Sequence, residues 1–306
     1  MERLALIDWI EFTVPDTSPE RIISYLFSDR DFSSLKGGLG YSESLLHSCG
    51  ARIYHSGRDD MGTHVRFSGS ALRAYPGSIY NIPLAVHACS GTYTRIDLAL
   101  DLTGDDFTID HLYQKHKDGL LSMLWHTVTY TESTTRSGEL AGKTLYIGSR
   151  QSTVFLRFYD KFLESKSSDF RGVERLEIEY KGDAADIIGK QLEQGAQPQE
   201  MLLSTLKKYL SVKERKGGQN KSRWPPCPIY ADLLGSADRI KLTYPDEPLT
   251  IEKAKEIYWK QSAGLAHTIA AYDGNTDFLD ACRAGAGYRL SAKHKALLEE
   301  KERTVQ

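Results

Sequence analysis

The sequence predicts an α+β fold, a largely antiparallel sheet with flanking helices followed by a helical C-terminal region. Three observations predict it. Between Arg95 and Lys181 several segments alternate apolar and polar residues with a period of two, the pattern of strands that bury one face. Beyond Asp183 the apolar period lengthens to that of helices. No run of about 18 apolar residues is present, so no membrane-spanning helix is expected.

Taken in order, Leu4–Val14 is the first expected strand, ended by Pro15. A helix is expected next, to about Phe27, with Ser18 at the N-cap and Pro19 at the first helical position. Its apolar stripe is Ile22, Ile23 and Leu26. Ala51–His55 and Thr63–Phe67 flank GRDDMG as a hairpin, with Val65 and Phe67 toward the core and His64 and Arg66 opposite. Tyr93–Leu102 reads as a strand, Thr108–Lys117 as a helix and Leu124–Tyr130 as a strand. The polar, glycine-containing stretch Ser133–Gly142 reads as a loop. Thr144–Ile147 and Val154–Asp160 form a hairpin around GSRQS, and Val173–Lys181 adds another strand.

Helical spacing covers Ala184–Glu193 and Pro198–Val212. Gly, Pro and polar residues punctuate Lys216–Pro228, the expected linker. The expected division is thus residues 1–215, a linker at 216–228, and a helical region at 229–306 with helices at Thr250–Ala271, Asp277–Arg283 and Leu290–Lys301.

A net charge of −2 excludes a protein that coats nucleic acid by bulk electrostatics, though not one with a local basic patch. Lys207, Lys208, Lys213, Arg215 and Lys216, continued by Lys221 and Arg223, form one such stretch, equally readable as a solvated helix end and linker. Cys49, Cys89, Cys227 and Cys282 contain no CxxC pair, so neither a zinc site nor a disulfide framework is expected. The N-terminus lacks a basic leader and cleavage site, which leaves a cytoplasmic protein as the expectation.

The chemistry is concentrated in three strands. Opposite the apolar residues stand Arg95, Asp97, Ala99 and Asp101 in the first, Phe155, Arg157 and Tyr159 in the second, and Arg175, Glu177, Glu179 and Lys181 in the third. Neighbouring carboxylates repel unless a cation lies between them, and Asp97, Asp101, Glu177 and Glu179 offer oxygen ligands for Mg²⁺ or Mn²⁺. Tyr159 beside such an ion, with Arg157 or Lys161, is a candidate nucleophile for a phosphodiester. Each element also has a plainer reading. An alternating acidic strand is the pattern of a solvated sheet face, and Tyr159 alone is an ordinary sheet aromatic. The nine histidines include no His-x-His pair; His64, His111 and His116 are read as structural.

In combination, RIDLALD, then YIGSRQSTVFLRFYDKFLE, then RLEIEYK closely resembles the replication initiation factor (Rep_trans) family. That family includes initiators of small rolling-circle plasmids, replication proteins of filamentous phages and relaxases of some integrative conjugative elements. The resemblance centres on residues 90–190; DWIEFTV, THVRFSGSALRAY and the helical tail are most similar to the phage-type branch. It implies a palm-like antiparallel sheet related to the HUH endonucleases, although their His-hydrophobic-His motif is absent here. It places the nucleophile on Tyr159 and the metal acids on Asp97, with Asp101 a same-face companion, and on Glu177 and Glu179, of which Glu177 is preferred. Arg150, Arg157 and Lys161 would contact phosphate, and Glu164 would support them. The implied activity is site- and strand-specific nicking and closing of origin DNA through a 5′-phosphotyrosine. Implied partners are double- and single-stranded origin DNA, a host helicase and polymerase, and often a second copy of the chain. The alternatives are a conjugative relaxase, a metal-dependent hydrolytic nuclease and a non-catalytic origin-binding protein.

Overall fold

A computed structural model of the chain describes residues 5–104, 107–217, 220–242, 250–280 and 298. The chain forms two compact units, residues 1–243 and 244–306. The first begins β1 (Ala5–Val14), α1 (Pro19–Leu26), β2 (Phe32–Gly38), β3 (Tyr41–His47), β4 (Arg52–His55) and β5 (Thr63–Ser68). It continues α2 (Gly69–Ala74), α3 (Asn81–Ala88), β6 (Thr92–Thr103), α4 (Ile109–Lys117), β7 (Leu121–Met123) and β8 (Val128–Thr134). There follow β9 (Leu140–Ile147), β10 (Val154–Asp160), α5 (Lys161–Ser165), β11 (Val173–Lys181), α6 (Asp183–Glu193), α7 (Pro198–Tyr209), β12 (Leu210–Val212) and α8 (Pro228–Leu234). In the second unit α9 (Ile251–Gln261) and α10 (Ala263–Asp273) are described.

Among the described residues ten strands make one sheet in the order β2-β3-β4-β5-β1-β6-β11-β10-β9-β8. Neighbours pair antiparallel, as the alternating strands between turns require. The centre is β1, β6 and β11, whose apolar residues Ile10, Phe12, Ile96, Leu98, Leu176 and Ile178 are fully buried. Burying each such side chain stabilises the fold by about 1.5–3 kcal/mol. α6 and α7 cover this apolar face: Ile188, Leu202 and Leu206 are buried, and the Tyr180 hydroxyl donates to Thr205 Oγ1 at 2.8 Å. The opposite, polar face of the same three strands is therefore left for chemistry.

Several expectations are corrected. Ser18 occupies the N-cap of α1, yet its side chain makes no capping hydrogen bond. Ser133–Gly142 is not a loop: β8 and β9 extend through both ends of it and leave only a short turn, because exposed strand ends can be polar on both faces. Leu124–Tyr130 is not one strand; β7 ends before it and β8 begins within it. The helix read over Pro198–Val212 ends at Tyr209, where Leu210–Val212 turn extended and pair with β7. The helix read over Thr250–Ala271 is interrupted at Ser262. Asp277–Arg283 lies partly, and Leu290–Lys301 almost wholly, outside the described residues. Lys216–Pro228, the expected linker, lies within the first unit: Cys227 N–H donates to Val212 O at 2.8 Å, and Lys213 pairs with Pro226. The Tyr230 hydroxyl then ties α8 to α7 through the Leu206 carbonyl at 3.1 Å.

Candidate active site on the polar face of the sheet

Register decides which polar residues meet. Glu179 on β11 pairs with Asp97 on β6, Glu177 pairs with Arg157 on β10, and Arg175 pairs with both Tyr159 and Asp101. Directly opposed side chains lie about 5 Å apart, within reach of one another. On the far side of β6, Trp9 and Glu11 of β1 stand opposite Asp97 and Arg95. A register shift between Ile7 and Trp9 inserts Asp8 out of turn onto this face.

A cleft of about 510 Å³ opens over these residues, lined by Trp9, Asp97, Arg157, Tyr159, Lys161 and Glu177 among others. Tyr159 is 8% exposed, and its hydroxyl donates to Glu177 Oε2 at 3.0 Å. Burial first, then the Glu177 carboxylate, pushes the Tyr159 phenol above its ordinary pKa, and the nearby Arg175 opposes them. Arg157 donates to the other Glu177 oxygen and lies 3.7 Å from Asp97 Oδ2. The Asp97 carboxylate is held in a two-point grip by Arg95, at 2.9 and 2.7 Å. Arg95 also meets Glu179, which Lys181 pairs from the other side at 2.6 Å. Burial, together with the Glu177 and Glu179 charges, outweighs Arg95 and pushes the Asp97 carboxyl well above the usual carboxylate range.

Lys161 follows β10 directly, with its ammonium 5.7 Å from the Tyr159 ring centre and 2.6 Å from Glu164 Oε2. Asp160 starts α5 by accepting from Leu163 N–H at 2.8 Å, which fixes Lys161 and Glu164 at the cleft wall.

The structure thus brings together Tyr159, Arg157, Lys161, Asp97 and Glu177. Glu179 lies on the same face but is engaged by Arg95 and Lys181. Asp101 joins a separate cluster, where Arg175 grips it at 2.6 and 2.8 Å and Asp8 lies 3.3 Å from Arg175. Arg150 caps the β9–β10 hairpin, 5.8 Å from the ring centre of the cleft residue Tyr146. The basic stretch is not brought to the cleft. Lys207 is bound to the Ala237 carbonyl and Asp238, Lys208 packs on Tyr209, Lys213 pairs with Pro226, Arg215 packs on Trp224, and Lys216 is exposed. These belong to the layer on the apolar face of the sheet.

Among the described residues no group of three or more His, Cys, Asp or Glu side chains is arranged to hold a metal ion. Mg²⁺ is commonly held by one or two carboxylates with water and substrate phosphate supplying the rest. Asp97 and Glu177 fit that smaller role: both reach the same guanidinium, and a cation there would offset the burial and, after it, the neighbouring carboxylate charges that raise Asp97.

Sequence reasoning missed Asp8, Trp9, Arg73 and the Ser68–Ser70 junction of β5 and α2, all of which line the cleft. The signal for Trp9 was present, since Trp9, Glu11 and Thr13 alternate with Ile10, Phe12 and Val14 as the other site strands do. Asp8 carried no such signal, because the register shift breaks the period at that residue.

A sequence model described as "Replication initiation factor" matches residues 91–282. The chain is 22% identical to the Bacillus subtilis (strain 168) protein named "Putative DNA relaxase NicK", covering 97% of this chain and 89% of that one. Its fold is similar to the rolling circle replication initiator protein from Geobacillus stearothermophilus, with a TM-score of 0.71 and 25% identity over 79% of this chain and 99% of the other.

Proposed function

The chain belongs to the replication initiation factor family, and from that premise we propose that it is a rolling-circle replication initiator that nicks and rejoins DNA through Tyr159. The observation that carries the reading is the hydrogen bond from the Tyr159 hydroxyl to Glu177, in a cleft lined with guanidinium groups and inside the family-matched segment. The similar proteins named as a DNA relaxase and a rolling circle initiator support DNA-nicking chemistry.

The chain's own residues account for the steps. Because burial and Glu177 hold the phenol neutral, its proton leaves as attack begins, and Glu177 Oε2 stands 3.0 Å away to take it. The Tyr159 oxygen–phosphorus bond forms while the bond from phosphorus to the 3′-oxygen breaks, and that oxygen takes a proton from solvent. The product is a 5′-phosphotyrosine with a free 3′-hydroxyl, and the reverse transfer rejoins the strand without an added energy source. Arg157 and Lys161 supply positive charge where the phosphoryl oxygens gain negative charge. Asp97 and Glu177 would hold Mg²⁺ or Mn²⁺, which when bound polarises a phosphoryl oxygen. In this reading the substrate is a single-stranded stretch within origin DNA. A host helicase and polymerase extend the free end, and the first unit is the nicking domain.

The test is incubation of the full chain with single-stranded oligonucleotides, scored for SDS-stable protein–DNA adducts with and without Mn²⁺ or Mg²⁺. Adducts are expected with the ion, none with Tyr159→Phe, and undiminished oligonucleotide binding by that variant. An adduct that survives Tyr159→Phe removes the nucleophile assignment; cleavage without any adduct makes the protein a hydrolytic nuclease. Undiminished adduct yield in chelator removes the metal.

A second reading, a conjugative relaxase, is favoured by the similarity to a protein named as a relaxase over 97% of the chain. The chemistry is shared, so cells decide: a plasmid carrying the nick site either replicates or only transfers when the protein is supplied.

A further inference from the structure

Phe155 is an apolar ring on the polar face of the sheet, on the same side of β10 as Arg157 and Tyr159. It is 3% exposed, and Tyr146 of β9 stacks against it, with the two rings within 7° of parallel and their centres 5.9 Å apart. That is the offset stacking that aromatic pairs prefer, so the buried ring fixes the plane of the outer one. Tyr146 itself is half-buried and lines the cleft.

Register puts this ring beside the nucleophile. Tyr146 pairs with Arg157, and Thr144 pairs with Tyr159. Tyr146 and Tyr159 are therefore diagonal neighbours on one face, about 7 Å apart. Phe155 lies two residues from Arg157 toward the β9–β10 turn, and Tyr159 lies two residues away from it. With Phe155 on the turn side of the Tyr146 ring, the other side of that ring looks toward Tyr159, where Thr144 and Ser165 also line the cleft. The turn is braced from β11: Lys181 Nζ donates to the Arg150 carbonyl, and Lys181 N–H donates to the Thr153 carbonyl at 2.8 Å.

We propose that the Tyr146 ring is a stacking platform for one nucleobase next to the scissile phosphate, an assignment that rests on the nicking function above. Every base has a flat π-face, so a ring of this kind holds a nucleotide without reading its identity. Tyr146 is thus a positioning residue: a base laid on it keeps the adjoining phosphate over Tyr159, Arg157 and Lys161. Arg150, exposed at the turn and 5.8 Å from the Tyr146 ring centre, offers positive charge to the backbone of the same strand.

The experiment first enriches a single strand from a randomised pool by binding to full-chain Tyr159→Phe, and maps its nick from the wild-type adduct. Abasic nucleotides are then placed along that strand one position at a time. Binding is measured with Tyr159→Phe alone and with Tyr146→Ala or Tyr146→Phe added to it. One abasic position adjoining the nick is expected to cost Tyr159→Phe about tenfold in affinity. Adding Tyr146→Ala should weaken the intact strand by a similar factor and remove the sensitivity at that position alone. Adding Tyr146→Phe, which keeps the ring, should preserve both affinity and sensitivity. An abasic profile unchanged by Tyr146→Ala makes the ring structural only and overturns the proposal. So does a Tyr146→Phe profile matching that of Tyr146→Ala, or a strand with no sensitive position. Absence of adducts from the wild type sinks the nicking function instead, and the coupling between Tyr146 and a single base still decides the platform.

Discussion

At Glu11 the polar face shows how charge is kept on a sheet. Its Oε1 accepts from Arg66 at 2.6 Å and from the Trp9 indole at 3.0 Å, and His64 lies 3.7 Å from Oε2. Burial alone raises this carboxyl, but His64, Arg66 and Trp9 outweigh it and hold the group at about 2 against an ordinary 4.5. A depressed folded value means that the unfolded chain binds the proton first as acid is added. The Glu11 contribution is therefore complete above pH 4.5 and lost as the pH falls toward 2, by at most about 3 kcal/mol. Urea denaturation of the wild type and Glu11→Gln checks this: their stability difference should shrink steadily from pH 4.5 to 2. A difference that does not change with pH would show that these partners do not hold the charge.

Elements position the site through close approaches that sequence patterns only partly reveal. α6 lies so near β6 that a Cβ on Gly189 would stand 2.1 Å from Tyr93 Cδ2, an atom close to the backbone of a buried ring. Gly189→Ala gains about 1 kcal/mol of helix propensity, yet it overpacks a layer with no room to give, at a cost of about 1–3 kcal/mol or more. The 2.1 Å approach puts the cost toward the upper end, so a net destabilisation of about 2 kcal/mol is expected in urea melts; a stabilised variant would mean that α6 can shift freely. The strands that were missed, β2 and β3, explain themselves at the same scale. FSSLKGG lies at the sheet edge with most of its residues exposed, so no apolar alternation is needed to form it. β7 and β12 are three residues each and draw their stability from pairing with one another across the chain.

The whole molecule divides after residue 243, and the strands and the cleft belong to the first unit. A chain ending at residue 243 should unfold cooperatively and retain adduct formation on single-stranded DNA to within about threefold, a change smaller than 1 kcal/mol. Loss of the adduct with a folded truncated protein would assign part of the chemistry to the second unit. The basic stretch attaches to the layer opposite the cleft, so any phosphate it meets lies away from Tyr159.

The α+β class and the face on which Tyr159, Arg157, Asp97 and Glu177 stand are legible along the chain, because alternation along a strand is a local property of the backbone. The sequence also carried the family, through the spacing of RIDLALD, RFYDK and RLEIEYK. How the charged residues sort into partners depends on the assembled sheet. Register sets Glu177 against Arg157 and Tyr159, sends Asp101 to Arg175, and leaves Glu179 to Arg95 and Lys181. Register is a relation between distant segments, fixed by the packing of the whole sheet, and a shift of one residue would exchange its faces. The bulge that turns Asp8 inward is of the same kind. The cleft over Tyr159 therefore became visible only when the strands were paired.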